Sequence, residues 1–361
     1  MLRFLIPTLV VCYLGHLIFN DPDLVRLRWQ SNALTRIALA LLLAFTGTAI
    51  TILRWRLMLK ALGLTIPFLE AIRVGFVAEL FNLFLIGGVG GDVVKATFVA
   101  NSFPNQRIRG ISATLLDRVV GLYSLLLMST FGIAAFSLFF TLPILIKTLG
   151  LALAASLLIA TLFLISPFII PHWFWDFRHS KLIPRIARQP VKDALSATLG
   201  YRRRPSALIL ATGLTLTTQI LLAMAFWLIA TSVLQTAPSF GHHLVLLPTA
   251  SVTGILPLPF GGLGIFEGTI GTLYESFTYG AIPASYGVVS SLGYRLVSLV
   301  IVIPGVICWS LSRSQVSNQS IRAKTQLNPA ATLKNDCRQR QPELQDSGRS
   351  RTDIAPVPSK A

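Results

Sequence analysis

Charge is scarce in this sequence. Of 361 residues only 12% are Asp, Glu, Lys or Arg, while 53% are hydrophobic. Globular domains run at about 25% charged residues, so this composition excludes a water-soluble fold and predicts a membrane protein. Acidic residues are scarcer still. There are 14 Asp and Glu against 31 Lys and Arg, a formal net charge of +17. In a chain this apolar, that excess argues for an anionic cytoplasmic membrane face rather than nucleic acid. Cysteine is rare too, with three in all. Cys12 and Cys308 fall in apolar runs and Cys337 in a polar tail. That excludes a disulfide framework or a cysteine metal set. The five histidines, His16, His172, His179, His242 and His243, form no ligand pattern. Neither H-E-x-x-H nor G-x-S-x-G occurs. No metal, no cofactor and no enzymatic activity are expected.

What is present is a series of uncharged runs. A membrane crossing needs about 20 mostly apolar residues. Candidate spans lie at roughly 4–20, 34–53, 112–139, 145–170, 207–234 and 284–311. The first reads as a retained helix rather than a signal peptide, because no A-x-A-like cleavage site follows it. Two further hydrophobic stretches, about 68–100 and 244–281, are interrupted by glycine and proline. Arg54, Arg56, Lys60, Arg107, Arg109 and the basic loop 171–206 mark cytoplasmic sides. The loops near 140–147 and 235–243 have one Lys and no Lys or Arg respectively, and so face outward. Both termini are then cytoplasmic. Each broken stretch must return to the side it came from, the first inside and the second outside. That describes two oppositely facing re-entrant segments, or two full crossings in each stretch.

The sequence itself repeats across these stretches. Gly87-Gly88-Val89-Gly90 matches Gly261-Gly262-Leu263-Gly264. Asp92 lies five residues after Gly87, and Glu267 six after Gly261. Arg118 follows Asp92 by 118 − 92 = 26 residues, and Arg295 follows Glu267 by 295 − 267 = 28. Each arginine opens a related apolar run, RVVGLYSLLL and RLVSLVIVI. The predicted fold is therefore all-α: a polytopic bundle of about six full spans plus two broken helical segments in a pseudo-inverted repeat. The halves are about 33–140 and 206–311, within a membrane domain of residues 1–312. Residues 313–361, rich in Ser, Gln, Asn, Arg and Pro, are expected to be a disordered basic cytoplasmic tail.

The glycine clusters fit neither phosphate-loop template. The run from Gly88 fails G-x-G-x-x-G, and no G-K-[ST] follows. Inside a membrane a helix break frees backbone groups that need protein, water or ligand. A helix N-terminus there suits an anion, and glycine lets a ligand approach the backbone. Tight helix packing is the plainer explanation of the same glycines. The charged residues sharpen the choice. Arg295 lies 295 − 284 = 11 residues into its span, about 16 Å deep. An unpaired charge there costs at least about 2.5–3.5 kcal/mol. Glu267 is its expected partner in the empty protein, with a lipid phosphate as competitor. A permanent structural pair is the alternative. Arg118 sits beside Asp117 with room to snorkel. Lys95 follows Asp92 by three and is placed to pair with it. Glu79 and Asn82 share a helix face. Arg54, Trp55 and Arg56 read as an interfacial anchor first and headgroup contacts second. Candidate headgroup-binding residues are thus Asn82, Gly87, Gly88, Gly90, Gly91, Asp92, Lys95, Asp117, Arg118, Gly261, Gly262, Gly264, Glu267 and Arg295.

Five stretches carry a resemblance in order and spacing: RWRLMLKALGL (54–64), FNLFLIGGVGGDVVKA (81–96), LLDRVVGLYSLLL (115–127), PLPFGGLGIFEG (257–268) and GYRLVSLV (293–300). Together they resemble the transmembrane region of the lysylphosphatidylglycerol synthase family, the flippase-like membrane proteins. The likeness covers roughly residues 1–312. Pro259-Phe260 stand where many relatives carry serine and proline, or glycine, before the double glycine. In two-domain members this region is the lipid flippase, and a separate soluble domain transfers the amino acid. The resemblance implies a bacterial inner-membrane protein that translocates or handles a polar, anionic or lipid-linked headgroup, with a phospholipid or lipid-linked molecule as substrate. No transferase domain follows residue 312, so lysyl transfer by this chain is not expected. A separate lipid-modifying enzyme stands as an open partner. A membrane-embedded lipid-modifying enzyme and a non-transporting scaffold are the competing readings.

Overall fold

The structure, a computed structural model, describes residues 32–84, 89–169, 199–253 and 264–327. Every regular element among the described residues is helical: α1 (Ala33–Ala61), α2 (Phe68–Phe84), α3 (Gly90–Ser102), α4 (Arg107–Phe139), α5 (Ile144–Ile169), α6 (Pro205–Val233), α7 (Phe240–Thr253), α8 (Ile265–Phe277) and α9 (Ala284–Leu327). Among the described residues five stretches are long and apolar enough to cross a bilayer, at 33–61, 104–139, 144–166, 205–233 and 284–311. They coincide with five of the expected spans, and the chain is a multi-pass membrane protein. The expected span at 4–20, most of the basic loop 171–206, and Gly87, Gly88, Gly261 and Gly262 lie outside the described residues.

The two interrupted stretches form pairs of short helices. α2 ends and α3 begins on either side of the first glycine cluster, and α7 and α8 flank the second. α3 and α8 have 13 residues each. At 1.5 Å per residue each is about 20 Å long, short of a hydrocarbon core of about 30 Å. Each pair sits over its own core. Trp55, Met58, Val99, Ala113 and Val120 are packed under the first. Phe226, Leu246, Ile270 and Tyr274 are packed under the second. By contrast α5 is apolar all round and leaves Leu151, Leu158, Ile159, Leu162 and Phe163 exposed. In a membrane those side chains meet lipid at no hydrophobic cost.

α1 and α6 form the seam between the two cores. Arg36 Nη1 donates to the Thr231 carbonyl at 2.6 Å, near the start of α1 and the end of α6. Midway, Thr218 Oγ1 reaches the Gly47 carbonyl at 3.5 Å. Further on, Arg54 Nη1 donates to Thr215 Oγ1 at 2.7 Å. As the α1 number rises the α6 number falls, so the two helices pack antiparallel. A Cβ at Gly47 would lie 3.5 Å from Thr218 Cγ2, which shows how closely they approach.

The chain divides into two compact units, Met1–Val306 and Ile307–Ala361. α9 is helical through Leu327. From 313 to 327 no Gly or Pro interrupts it, and Gln, Arg, Lys, Ala and Leu sustain a helix once it has begun.

The antiparallel seam is testable by cross-linking in membranes. Gly47→Cys with Thr218→Cys, in a chain freed of native cysteines, is expected to form an oxidative cross-link. Arg36→Cys with Thr218→Cys, separated by about three helical turns, is expected to form none.

Candidate functional site

The first glycine cluster leads directly into α3. Gly90 and Gly91 open that helix and both are buried. Gly91 N–H donates to Asn82 Oδ1 at 2.7 Å, so α2 supplies the side chain that satisfies a first-turn donor of α3. Only glycine fits there: a Cβ on Gly91 would stand 2.5 Å from the Ala78 carbonyl oxygen. Asn82 Nδ2 also reaches Glu79 Oε2 at 3.5 Å. Asp92, in the first turn of α3, forms an ion pair with Arg118 of α4. Arg118 therefore finds a carboxylate partner instead of relying on snorkelling.

The second cluster leads into α8 in the same manner. Gly264 caps the helix at φ +95°, a conformation that side chains rarely adopt. The Glu267 carboxylate folds back to accept the Gly264 N–H with Oε2, and its Oε1 accepts from Arg295 Nε of α9. Glu267 is fully buried. The Arg295 guanidinium also lies 5.9 Å from the centre of the Phe266 ring. The expected Glu267–Arg295 pair is thus present.

Counted from the first residue of each helix, the two pairs fall at the same positions. Asp92 is the third residue of α3 and Glu267 the third of α8, counting from Gly90 and Ile265. Arg118 is the twelfth residue of α4, and Arg295 the twelfth of α9. α1 and α6 are each 29 residues long, with Trp55 and Trp227 at position 23. A sequence signal lay upstream of the arginines as well. Gly110-Ile-Ser-Ala-Thr-Leu matches Gly287-Val-Val-Ser-Ser-Leu, each eight residues before its arginine.

A third ion pair occupies the first half alone. Arg54 of α1 holds Asp117 of α4 in a two-pronged contact, Nε to Oδ1 at 2.8 Å and Nη2 to Oδ2 at 3.0 Å. Its remaining nitrogen reaches Thr215 of α6. Trp55 is also fully buried and donates Nε1–H to Thr114 Oγ1 at 3.2 Å. The reading of Arg54 and Trp55 as an interfacial anchor is therefore corrected. The guanidinium has a buried carboxylate and the indole a buried hydroxyl, so neither needs the interface. Arg56 behaves as a local strap, donating to the Ile66 carbonyl at 2.9 Å. Lys95 is also corrected: Asp92 is taken by Arg118, and the Lys95 ammonium lies 5.6 Å from the centre of the Trp55 ring. In the second half Phe226 and Tyr294 fill the register positions of Arg54 and Asp117, their ring centres 5.3 Å apart. One half makes with charge the contact that the other makes with aromatic rings. Next to this network Tyr201 donates to the Met58 carbonyl at 2.8 Å. Burial, and the Asp117 charge behind it, push the Tyr201 phenol above its ordinary range, keeping it a donor.

Residues 2–305 match the family model described as the lysylphosphatidylglycerol synthase TM region. The chain belongs to that family. No curated protein matches it. The family match spans both glycine clusters and all three ion pairs, so the whole site lies within the shared membrane region. Among the described residues no three His, Cys, Asp or Glu side chains come together to hold a metal ion.

The buried network is a stability element, and its removal is measurable. Arg54→Ala or Asp117→Ala alone strands a buried charge, an expected loss of about 3–5 kcal/mol. Arg54→Leu combined with Asp117→Leu is expected to recover most of it. Thermal unfolding in detergent checks both. Gly91→Ala is expected to lower the same midpoint, because α2 and α3 must separate to admit the Cβ.

Proposed function

We propose that this protein carries the polar headgroup of an anionic or lipid-linked substrate across the bacterial inner membrane, with both termini cytoplasmic. One observation carries the reading: two carboxylate–arginine pairs at identical register positions, each at the first turn of a short helix that follows a glycine cluster, within halves whose leading helices pack antiparallel. Antiparallel equivalents are what an inverted repeat requires, and inverted repeats place substrate sites at broken helices. In the empty protein each arginine is neutralised by its carboxylate. A lipid phosphate competes for the guanidinium, whose planar fork binds two oxygens at once. The freed carboxylate then accepts a cationic headgroup group or stays on its helix N-terminus, where negative charge is favoured. Both arginine side chains remain about one quarter exposed, 25% for Arg118 and 24% for Arg295, so a ligand can reach them. The Arg54–Asp117 pair, at 8% and 4%, is closed off and serves the frame. Asp117, counted among the headgroup residues from sequence, is thereby reassigned to that frame.

Leaflet exchange of labelled lipids in proteoliposomes tests the proposal. Wild-type protein should accelerate exchange of an anionic lipid. Arg118→Ala and Arg295→Ala should each reduce the acceleration at least about tenfold, the loss of roughly one charge-assisted hydrogen bond. Unaccelerated exchange for every anionic lipid, or full rates in both variants, contradicts it. A chemically altered lipid would identify an enzyme instead.

A further inference from the structure

Lys95 sits in α3 as a buried cation without an anion. The residue is 5% exposed. Among the described residues its ammonium has neither a carboxylate nor a hydrogen-bond acceptor, and it rests on the face of Trp55. The ring quadrupole attracts the charge but does not neutralise it. An ionisable group kept in that state within a membrane bundle points to a function and to a partner close by. Asp92 is the carboxylate within reach. Three positions along one helix place Asp92 and Lys95 on the same face, where opposite charges pair. α3 and α4 run antiparallel here. Asp92 meets Arg118, the Trp55 that carries Lys95 donates to Thr114, and a side chain at Gly110 would collide with Val99. Lys95 therefore lies one helical turn, about 4.5 Å along the axis, from the Asp92–Arg118 pair.

The second site is built differently. Its residue at the position of Lys95, sixth in the helix, is Ile270, fully buried among apolar neighbours. Glu267 has two anchors, Arg295 on one oxygen and the Gly264 N–H on the other. Asp92 has one: its Oδ2 carries the contact with Arg118, and its Oδ1 has no partner among the described residues. An anion that takes Arg295 leaves Glu267 with a hydrogen bond. An anion that takes Arg118 leaves Asp92 with none. The spare cation stands at the site whose carboxylate lacks a second anchor.

We infer that Lys95 is a positioning residue that receives Asp92 when an anion occupies Arg118. The empty site pairs Asp92 with Arg118 and rests Lys95 on Trp55; the occupied site pairs Asp92 with Lys95. Exchanging one partner for another avoids stranding a carboxylate, so Arg118 is released more readily than it would be beside an apolar residue. The inference rests on the proposed function for the identity of the anion, a lipid phosphate, and not for the exchange itself. Arg118→Met frees Asp92 with no ligand present, so the exchange is tested without binding or transport, by thermal unfolding of the full chain in detergent. Lys95→Met alone removes an unpaired buried cation and should leave the midpoint unchanged or higher. In the Arg118→Met background the same substitution should lower it by at least about 2 °C. That loss should vanish once Asp92→Asn is added, because Lys95 acts through Asp92. A merely structural lysine shows one effect in every background; that result, or a loss that survives Asp92→Asn, overturns the inference. A chain whose only tryptophan is Trp55 gives a second readout. Its emission should shift as the ammonium leaves the ring, in Arg118→Met without ligand and in the otherwise native chain on adding phosphatidylglycerol. If Arg118→Met does not fold, the lipid does the displacing, and an unshifted emission overturns the inference. If Lys95→Met reverses its effect as expected but the lipid leaves the emission unshifted, the exchange stands and the phosphate reading of Arg118 fails.

Discussion

An arginine inside a bilayer must have a carboxylate, a phosphate or water for company, and the rest of this structure is arranged around that requirement. Arg118 and Arg295 cannot be left bare in a hydrocarbon environment. Asp92 and Glu267 answer them from the first turns of α3 and α8. Gly90 and Gly91 open α3 and Gly264 caps α8, and each of these short helices packs over a buried core, around Trp55 or around Phe226.

Matching helix positions in the two stretches carry different chemistry. Arg54 with Asp117, and Phe226 with Tyr294, bridge the same pair of register positions. In the first half the bridge is an ion pair that also reaches Thr215 across the seam. In the second it is an aromatic edge-to-face contact, which needs no desolvated charge. The shared element is the accessible carboxylate–arginine pair; the divergent element is the buried brace behind it. Selection on a common function would act on the first and leave the second free to vary.

Much of this was legible in the sequence because membrane physics is restrictive. Uncharged runs gave five spans, their ends within about eight residues, and the depth of Arg295 in its span pointed to Glu267 as its partner. What was not legible depends on contacts between distant helices. Arg54 and Asp117 are 63 residues apart, and a tryptophan flanked by arginines looks like an interfacial anchor until its neighbours are known. Lys95 was misread for a similar reason. Its i, i+3 spacing from Asp92 permits a pair, but Asp92 was already engaged by α4.

The central claim is that the two glycine clusters face opposite sides of the membrane around equivalent charge pairs. Val89 and Ile265 adjoin the two clusters and both are exposed. In a chain with Cys12, Cys308 and Cys337 replaced, Val89→Cys and Ile265→Cys are labelled with a membrane-impermeant thiol reagent from each side of oriented vesicles. The account predicts labelling of position 89 from the cytoplasmic side and of position 265 from the opposite side. Labelling of both positions from one side only would contradict it.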